Sequence, residues 1–234
     1  MGIYQRDLSR FDESVVLNND YFKHGCVNCH TFCGQRTEKM LLGIRSKDYG
    51  SSALLLEGDS VRKIGTKFGY TSWHPSGRLA AFSVNNVRQF FHSAAGEVRD
   101  VIDLDSLMAY YLVDSETVKT SNDLARKDRL ETYPAWSPDG AYLACDYDID
   151  ADVWNELVTM RSDGSARLVA FQPDWLSDSW LGSWSPDGRY LLFTAVHYVL
   201  AGGQLYYDRL SLARVPAPPS AEGRVDLPGA GWNS

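Results

Sequence analysis

Two nearly identical stretches, Trp136-Ser-Pro-Asp-Gly140 and Trp184-Ser-Pro-Asp-Gly188, determine how this chain is expected to fold. Each is followed by an apolar run, Tyr142-Leu-Ala-Cys145 after the first and Tyr190-Leu-Leu-Phe193 after the second. The aromatic residue ends one short strand, and Pro-Asp-Gly turns the chain because proline presets φ while glycine tolerates a positive φ. The apolar run then returns as the next strand, so each stretch predicts a β-hairpin.

A third copy is looser and reads Thr71-Ser-Trp-His-Pro-Ser-Gly77, followed by Leu79-Ala-Ala-Phe-Ser83. The three tryptophans, Trp73, Trp136 and Trp184, stand 63 and 48 residues apart. Periods of about 40–50 residues are typical of the four-stranded blades of a β-propeller. The repeat therefore predicts blades, each built from one such hairpin and two further strands.

A fourth, degenerate copy precedes these three. Phe32 takes the place of the tryptophan, Cys33–Thr37 forms the turn, and Lys39–Arg45 is the returning strand. We therefore expect an all-β protein, a β-propeller with about four recognisable four-stranded blades. Because four lies at the lower end of the ~4–8 blades found in such rings, the sequence predicts a partial propeller, completed by a longer chain or by another subunit.

The strongest chemical motif is Cys26-Val-Asn-Cys-His30. Cys-x-x-Cys-His is the signature of covalent c-type haem attachment. Two thiols three residues apart can add to the two vinyl groups of one porphyrin, and the adjacent histidine then lies under the iron. We expect Cys26 and Cys29 to form thioethers with haem c and His30 to ligate its metal, at a rim where the chain leads into the first blade.

Zinc is the alternative occupant of this motif. The two motif thiols and His30, with Cys33 or His24, are the ligand types of a tetrahedral site. The remaining cysteine, Cys145, stands alone and is expected to be a small buried strand residue. A redox-active thiol pair is less favoured because the flanking sequence lacks a strand-to-helix pattern, and a motif this short also arises by chance.

The sixth position on a haem iron would decide its role. A second strong ligand favours electron transfer, whereas an open face permits small-molecule chemistry. His92 is the leading candidate because it follows an aromatic pair, and Met40, His24 and His74 are weaker candidates. Each has a structural interpretation as well: His92 as a half-exposed strand end, Met40 as a core residue and His74 as part of its turn.

The repeats resemble the TolB-type, WD-like propeller repeat, whose blades carry Trp-Ser-Pro-Asp-Gly before an apolar strand. The match departs from the pattern at His74 and Ser76, which replace the usual Ser and Asp. Together with the haem motif and Ala81-Phe-Ser-Val-Asn85, the pattern is similar to a family of extracytoplasmic bacterial propeller proteins. The resemblance covers about Tyr21 to Leu212 and implies a periplasmic or cell-surface protein, without assigning it a reaction.

The composition excludes several classes of partner. The chain has 234 residues, a formal net charge of −7 and no basic stripe, so nucleic acid is not expected to bind. No run of 18 apolar residues exists, so we expect no membrane span. Met1 to Asp20 lacks the apolar core of a secretory signal. Because haem attachment of this kind takes place outside the cytoplasm, either a leader is missing from this sequence or the thiols carry no haem.

The expected organisation has three parts. Residues 1–20 form an N-terminal extension, residues 21–212 form the propeller with the haem motif at 24–33, and residues 213–234 form a flexible tail rich in Pro and Gly. The long interval between the second and third hairpins includes Asn85 to Ser115. We expect it to hold outer strands and an insertion that is partly helical.

Two further residue groups suggest binding. Asp146, Asp148, Asp150 and Asp152 alternate along an extended segment and would share one face, but the calcium-loop template fails where Ala151 and Leu157 stand. A solvated strand edge is the favoured interpretation. A carbohydrate-binding face is a weaker hypothesis than core or loop packing for three aromatic residues, Trp154, Trp175 and Trp180.

Catalytic motifs are absent from the sequence: it contains no Gly-x-Ser-x-Gly elbow, phosphate loop or His-Glu-x-x-His. The sequence therefore favours a protein that is not an enzyme and that carries haem c for electron transfer or sensing, with a redox or other protein partner. The alternative is a non-catalytic interaction scaffold whose motif is vacant or holds zinc. An enzyme subunit with an open haem face is the third hypothesis.

Overall fold

The computed structural model describes residues 2–65, 67–91, 99–126, 130–148, 155–171, 177–217 and 224–227. A 3₁₀ helix spans Asn19–Phe22, and the strands are β1 (Gly2–Arg6), β2 (Glu13–Asn18), β3 (Cys26–Cys33), β4 (Arg36–Ser46), β5 (Gly50–Glu57), β6 (Ser60–Ile64), β7 (Gly69–Trp73), β8 (Leu79–Phe91), β9 (Arg99–Leu112), β10 (Thr117–Lys119), β11 (Leu130–Trp136), β12 (Tyr142–Asp148), β13 (Asn155–Arg161), β14 (Leu168–Phe171), β15 (Ser177–Trp184), β16 (Tyr190–Ala201), β17 (Gln204–Pro216) and β18 (Val225–Asp226).

These strands form four four-stranded antiparallel sheets and one hairpin. Blade 1 has the strand order β3-β4-β5-β6, blade 2 has β7-β8-β9-β10, blade 3 has β11-β12-β13-β14 and blade 4 has β15-β16-β17-β18. The N-terminal hairpin pairs β1 with β2. The expected all-β propeller architecture with four recognisable blades is confirmed, including the degenerate first copy, in which β3 ends at Cys33, one residue after Phe32, and β4 begins at Arg36.

The chain divides into two compact units between Thr71 and Ser72, inside β7. In the first unit, the core of blade 1 is a cluster that includes Val27, Leu42 and Ile44. Ile3 and Leu17 of the N-terminal hairpin pack against this cluster. Residues expected to be an extension therefore form a hairpin that is attached to blade 1 by apolar contacts.

In the described part of the second unit, a core lies on each face of blade 3. Because side chains alternate along a strand, Leu143 and Cys145 of β12 lie in the core shared with blade 2, and Ala144 lies in the core shared with blade 4. Blade 3 is thus apolar on both faces. The tryptophans follow the same plan: Trp136 belongs to the core between blades 2 and 3, and Trp184 packs against the one between blades 3 and 4.

Two segments differ from expectation. The interval expected to be partly helical is a long antiparallel pair in its described part, with β8 and β9 paired from Leu79 with Leu112 to Phe91 with Arg99. β17 continues to Pro216, beyond the expected tail boundary at 212, because Ala213 and Val215 contribute to the core shared with blade 3. Residues 218–223 and 228–234 of the expected tail lie outside the described residues.

A buried carboxylate, Glu131 of β11, joins blades 2 and 3. Its Oε2 accepts a hydrogen bond from the Met108 backbone N–H at 3.3 Å, and its Oε1 accepts one from the Arg126 N–H at 2.7 Å. Arg167 lies 4.0 Å from the same Oε1. Burial nevertheless dominates and raises the pKa of Glu131 to about 7.

This carboxylate predicts a pH-dependent stability of the second unit. The pKa of Glu131 is higher in the folded chain than in the unfolded chain, so the folded state binds this proton more tightly. The part of the unfolding free energy that comes from this difference is fully present below about pH 4.5 and is lost as pH rises through about 7. The wild type should lose up to about 3 kcal/mol of unfolding free energy across that window. Urea unfolding at several pH values tests this against Glu131→Gln, with Glu38→Gln as the exposed control.

The unfolding free energy of the wild type and of Glu38→Gln should fall between about pH 4.5 and 7, and that of Glu131→Gln should lack this decrease. Parallel curves for the wild type and Glu131→Gln would contradict the assignment, since every other titrating group is common to both proteins.

Candidate functional site

The haem motif lies within β3, an edge strand of blade 1, and not in a loop before it. Cys26 and His30 are exposed, and the ring of His30 contacts that of Phe32 edge-on at a centroid distance of 5.8 Å. The pairing register with β4 shifts between Asn28 and Thr31, so the backbone bulges at Cys29 and His30. The side chain of Cys29 lies outside the described part.

The remaining proposed ligands are dispersed. Met40 is 4% exposed in β4, and His24 Nδ1 lies 3.0 Å from Asp20 Oδ1. Cys33 is partly buried, and burial raises the pKa of its thiol. His92 lies outside the described residues. Within the described part of the chain, no three His, Cys, Asp or Glu side chains are grouped as a metal site would require.

The aspartate series is only partly described. Asp146 is 1% exposed, because β12 is a central strand of blade 3 with blade 4 against it, so the expectation of a solvated strand edge is wrong at this position. Asp150 and Asp152 lie outside the described residues, as do Trp154 and Trp175. Trp180 lies in β15, and its side chain is not described.

A second candidate site is formed by three turns of the second unit, residues 74–78, 137–141 and 185–189, which we name the turn rim. In the third blade, Ser137 Oγ donates to Asp139 Oδ1 at 2.6 Å, and the Tyr142 N–H donates to Ser137 Oγ at 2.9 Å. Ser185 and Asp187 repeat this arrangement at 2.6 Å in the fourth blade. The Ser-Pro-Asp-Gly sequence thus fixes its own turn with side-chain hydrogen bonds.

The first turn of the rim uses a different pair. His74 Nδ1 accepts from the Ser76 N–H at 3.1 Å, so the other ring nitrogen carries the proton and donates to the Gly140 carbonyl at 3.1 Å. The imidazole also meets the Trp136 ring edge-on at 4.8 Å. The departure from the repeat at His74 therefore creates a direct bond between the turns of blades 2 and 3.

The rim is charged and exposed. The Ser185 hydroxyl, followed by the Arg189 backbone and side chain, lowers the pKa of Asp187 to about 2, and the Ser137 hydroxyl lowers the pKa of Asp139. Both carboxylates are ionised at neutral pH, and Arg78 of the first turn is bonded to Asp114 at 2.7 Å. The rim therefore presents a rigid, ionised surface with three exposed prolines: Pro75, Pro138 and Pro186.

Sequence reasoning missed two contacts between blades of this unit, those made by His74 and by Glu131. The residue pair His74 and Gly140 is separated by 66 positions, and the only sequence signal was the departure of His74 from the repeat. For Glu131, the signal was a single acidic residue within a strand that is otherwise largely buried.

No helix in the described part of the chain has the length and apolar character needed to cross a bilayer.

Comparisons with known proteins agree on the fold. A family profile described as the dipeptidyl peptidase IV N-terminal region matches residues 74–197, just over half of the chain. No curated protein matches the sequence. Solved structures that resemble it include TolB from Acinetobacter baumannii, with a TM-score of 0.59, 13% identity, and coverage of 96% of this chain and 48% of that one.

Two other solved structures are similar. Prolyl oligopeptidase B from Galerina marginata, bound to a macrocyclization substrate, has a TM-score of 0.52, 13% identity, and coverage of 91% of this chain and 36% of that one. A nidogen/laminin complex has a TM-score of 0.50, 12% identity, and coverage of 80% and 75%. The chain thus spans about half the length of the TolB protein, and these identities support the fold alone.

The contact between His74 and Gly140 predicts a position-specific cost of adding a methyl group. Gly140 has a φ of +74°, and a Cβ there would collide with the His74 ring. Gly140→Ala should therefore lose about 1 kcal/mol from backbone strain and a further 1–3 kcal/mol from displacement of the imidazole, measured by urea unfolding.

Gly202→Ala is the matched control, since Gly202 has a φ of +61° and no atom within 4 Å of an added Cβ. Equal losses in the two variants would contradict the proposed contact.

Proposed function

The chain belongs to the family of the dipeptidyl peptidase IV N-terminal region, and from that we propose that it is a non-catalytic propeller scaffold that binds partner proteins outside the cytoplasm. The turn rim is the observation that carries this proposal. Its three turns are fixed by their own hydrogen bonds, so the scaffold loses little conformational entropy when a partner docks there.

Two further features support the proposal. The sequence holds none of the nucleophile or phosphate-binding motifs that would indicate catalysis on its own, and propeller surfaces serve functions that are set by the residues displayed on them. The resemblance to TolB proteins, together with the similarity to extracytoplasmic propellers noted from the sequence, favours a periplasmic or cell-surface location.

Charge placed on the rim tests this function. Replacing the exposed Pro138 and Pro186 with Lys adds bulk and positive charge while leaving the Ser–Asp bonds of the turns in place. Cross-linking in the native cells, followed by mass spectrometry, should recover a specific partner with the wild type and at least tenfold less with this variant.

The matched control replaces Leu168 and Val169 with Lys, because both side chains are exposed on β14 and neither belongs to the turn rim. Recovery that is equal for the rim and control variants would exclude the rim as the docking surface. If no specific partner is recovered with the wild type, the scaffold function itself is contradicted.

Covalent haem at the motif is a second candidate function. It is favoured by the exposure of Cys26 and His30 on an edge strand of blade 1. Cys26 and Cys29 would hold the group through thioethers, and His30 would ligate its iron. A haem at this position supplies one-electron redox chemistry. The buried Met40 would need to leave the core to serve as a second ligand, and His92 stays the leading candidate, ahead of His24 and His74.

Expression in a host that matures c-type cytochromes tests this candidate. The reduced wild type should show a sharp haem absorbance band that survives acid-acetone extraction, and Cys26→Ser should weaken covalent retention severalfold. Cys33→Ser is the control, because Cys33 lies at the end of the same strand outside the motif. Stoichiometric zinc without visible absorbance would instead identify a zinc site and rule out haem.

A further inference from the structure

The N-terminal hairpin has an open strand edge. Each blade has four strands, whereas the sheet formed by β1 and β2 has two in the described part of the chain. No described strand pairs with the outer edge of β2. Its backbone N–H and C=O groups on that side therefore remain available to another extended segment.

β2 also carries exposed apolar side chains along this unpaired edge. Val15 is 57% exposed and Val16 is 48% exposed, and Tyr4, the partner of Val15 on β1, is 53% exposed. Val16 is the extra residue where the register with β1 shifts, so it has no partner on that strand. Natural edge strands usually carry a charge or a proline that discourages pairing, and Ser14 to Leu17 carries neither.

We propose that β2 pairs in antiparallel orientation with β2 of a second copy, around a two-fold axis at Val16. The sequence is self-complementary in this register: Val16 lies opposite Val16 of the second copy, Val15 lies opposite Leu17, and Ser14 lies opposite Asn18. Apolar residues thus face apolar residues, and polar residues face polar ones. An isologous two-fold contact of this kind is the commonest way in which identical chains associate.

Charge also fits this partner. Glu13, the only charged residue of β2, lies opposite the neutral Asn19 of the second copy in this register, so no like charges meet between the two β2 strands themselves. The resulting sheet has four strands, as each blade does. The net charge of −7 on each copy opposes association at long range, so salt should strengthen the dimer by screening that repulsion.

Cysteine cross-linking tests the axis directly. Residues directly opposite each other in such a pair have Cβ atoms about 4.5–5.5 Å apart, close to the separation that a disulfide needs, whereas diagonal neighbours are about 7–8 Å apart. Under mild oxidation, Val16→Cys should give a disulfide-linked dimer at least tenfold faster than Val15→Cys or the wild type. Equal rates for the two variants would overturn the proposed register.

Sedimentation velocity tests the association itself. The wild type should shift towards twice the mass of a single chain as its concentration rises, and Val16→Lys should weaken this association at least tenfold. Val169→Lys is the control, because Val169 is 44% exposed on β14, the outer strand of blade 3. Circular dichroism checks that each variant is folded. A wild type that stays monomeric up to near-millimolar concentration, with or without salt, would overturn the proposal.

Discussion

The second unit depends on the burial of both faces of blade 3. Alternating residues of β12 enter two different cores, so the sheet is stable only with a neighbouring sheet on each side. The polar links lie where this packing brings backbone groups together: the Trp184 indole N–H donates to the Ala135 carbonyl at 2.9 Å, and Ser83 Oγ donates to the Glu131 carbonyl at 3.0 Å. Apolar packing positions the blades, and these hydrogen bonds fix their relative register.

The blade pattern could be predicted because the residues that determine each hairpin lie close together in the sequence. The tryptophan, the proline-led turn and the returning apolar strand all fall within about fifteen residues, and their physical roles do not depend on distant parts of the chain. The same locality explains why the degenerate copy at Phe32 could be recognised. The expected helical insertion was wrong in its described part, because the apolar run that ends β9 pairs with β8 as a strand and alternates in burial, with Met108 buried and Leu107 exposed.

The contacts between blades could not be predicted, because they join residues that are far apart in sequence. In the sequence, His74 is only a departure from the repeat, and its role depends on the hydrogen bond to Gly140 in the fold. Glu131 has the composition of a surface residue, and its burial depends on the hydrogen bonds that the Met108 and Arg126 amides donate to it. The N-terminal hairpin was missed for a different reason. Its strands are largely exposed, so their sequence carries little of the apolar alternation that identifies a strand.

Cys145 lies at the centre of this arrangement, and its position has a practical consequence. Its side chain is fully buried in the core between blades 2 and 3, and burial raises the pKa of the thiol, so the reactive thiolate is both inaccessible and scarce in the folded protein. An alkylating reagent can modify this sulfur only in molecules whose third blade has opened. The rate at which alkylated Cys145 accumulates therefore measures how often the core between blades 2 and 3 opens in the folded protein.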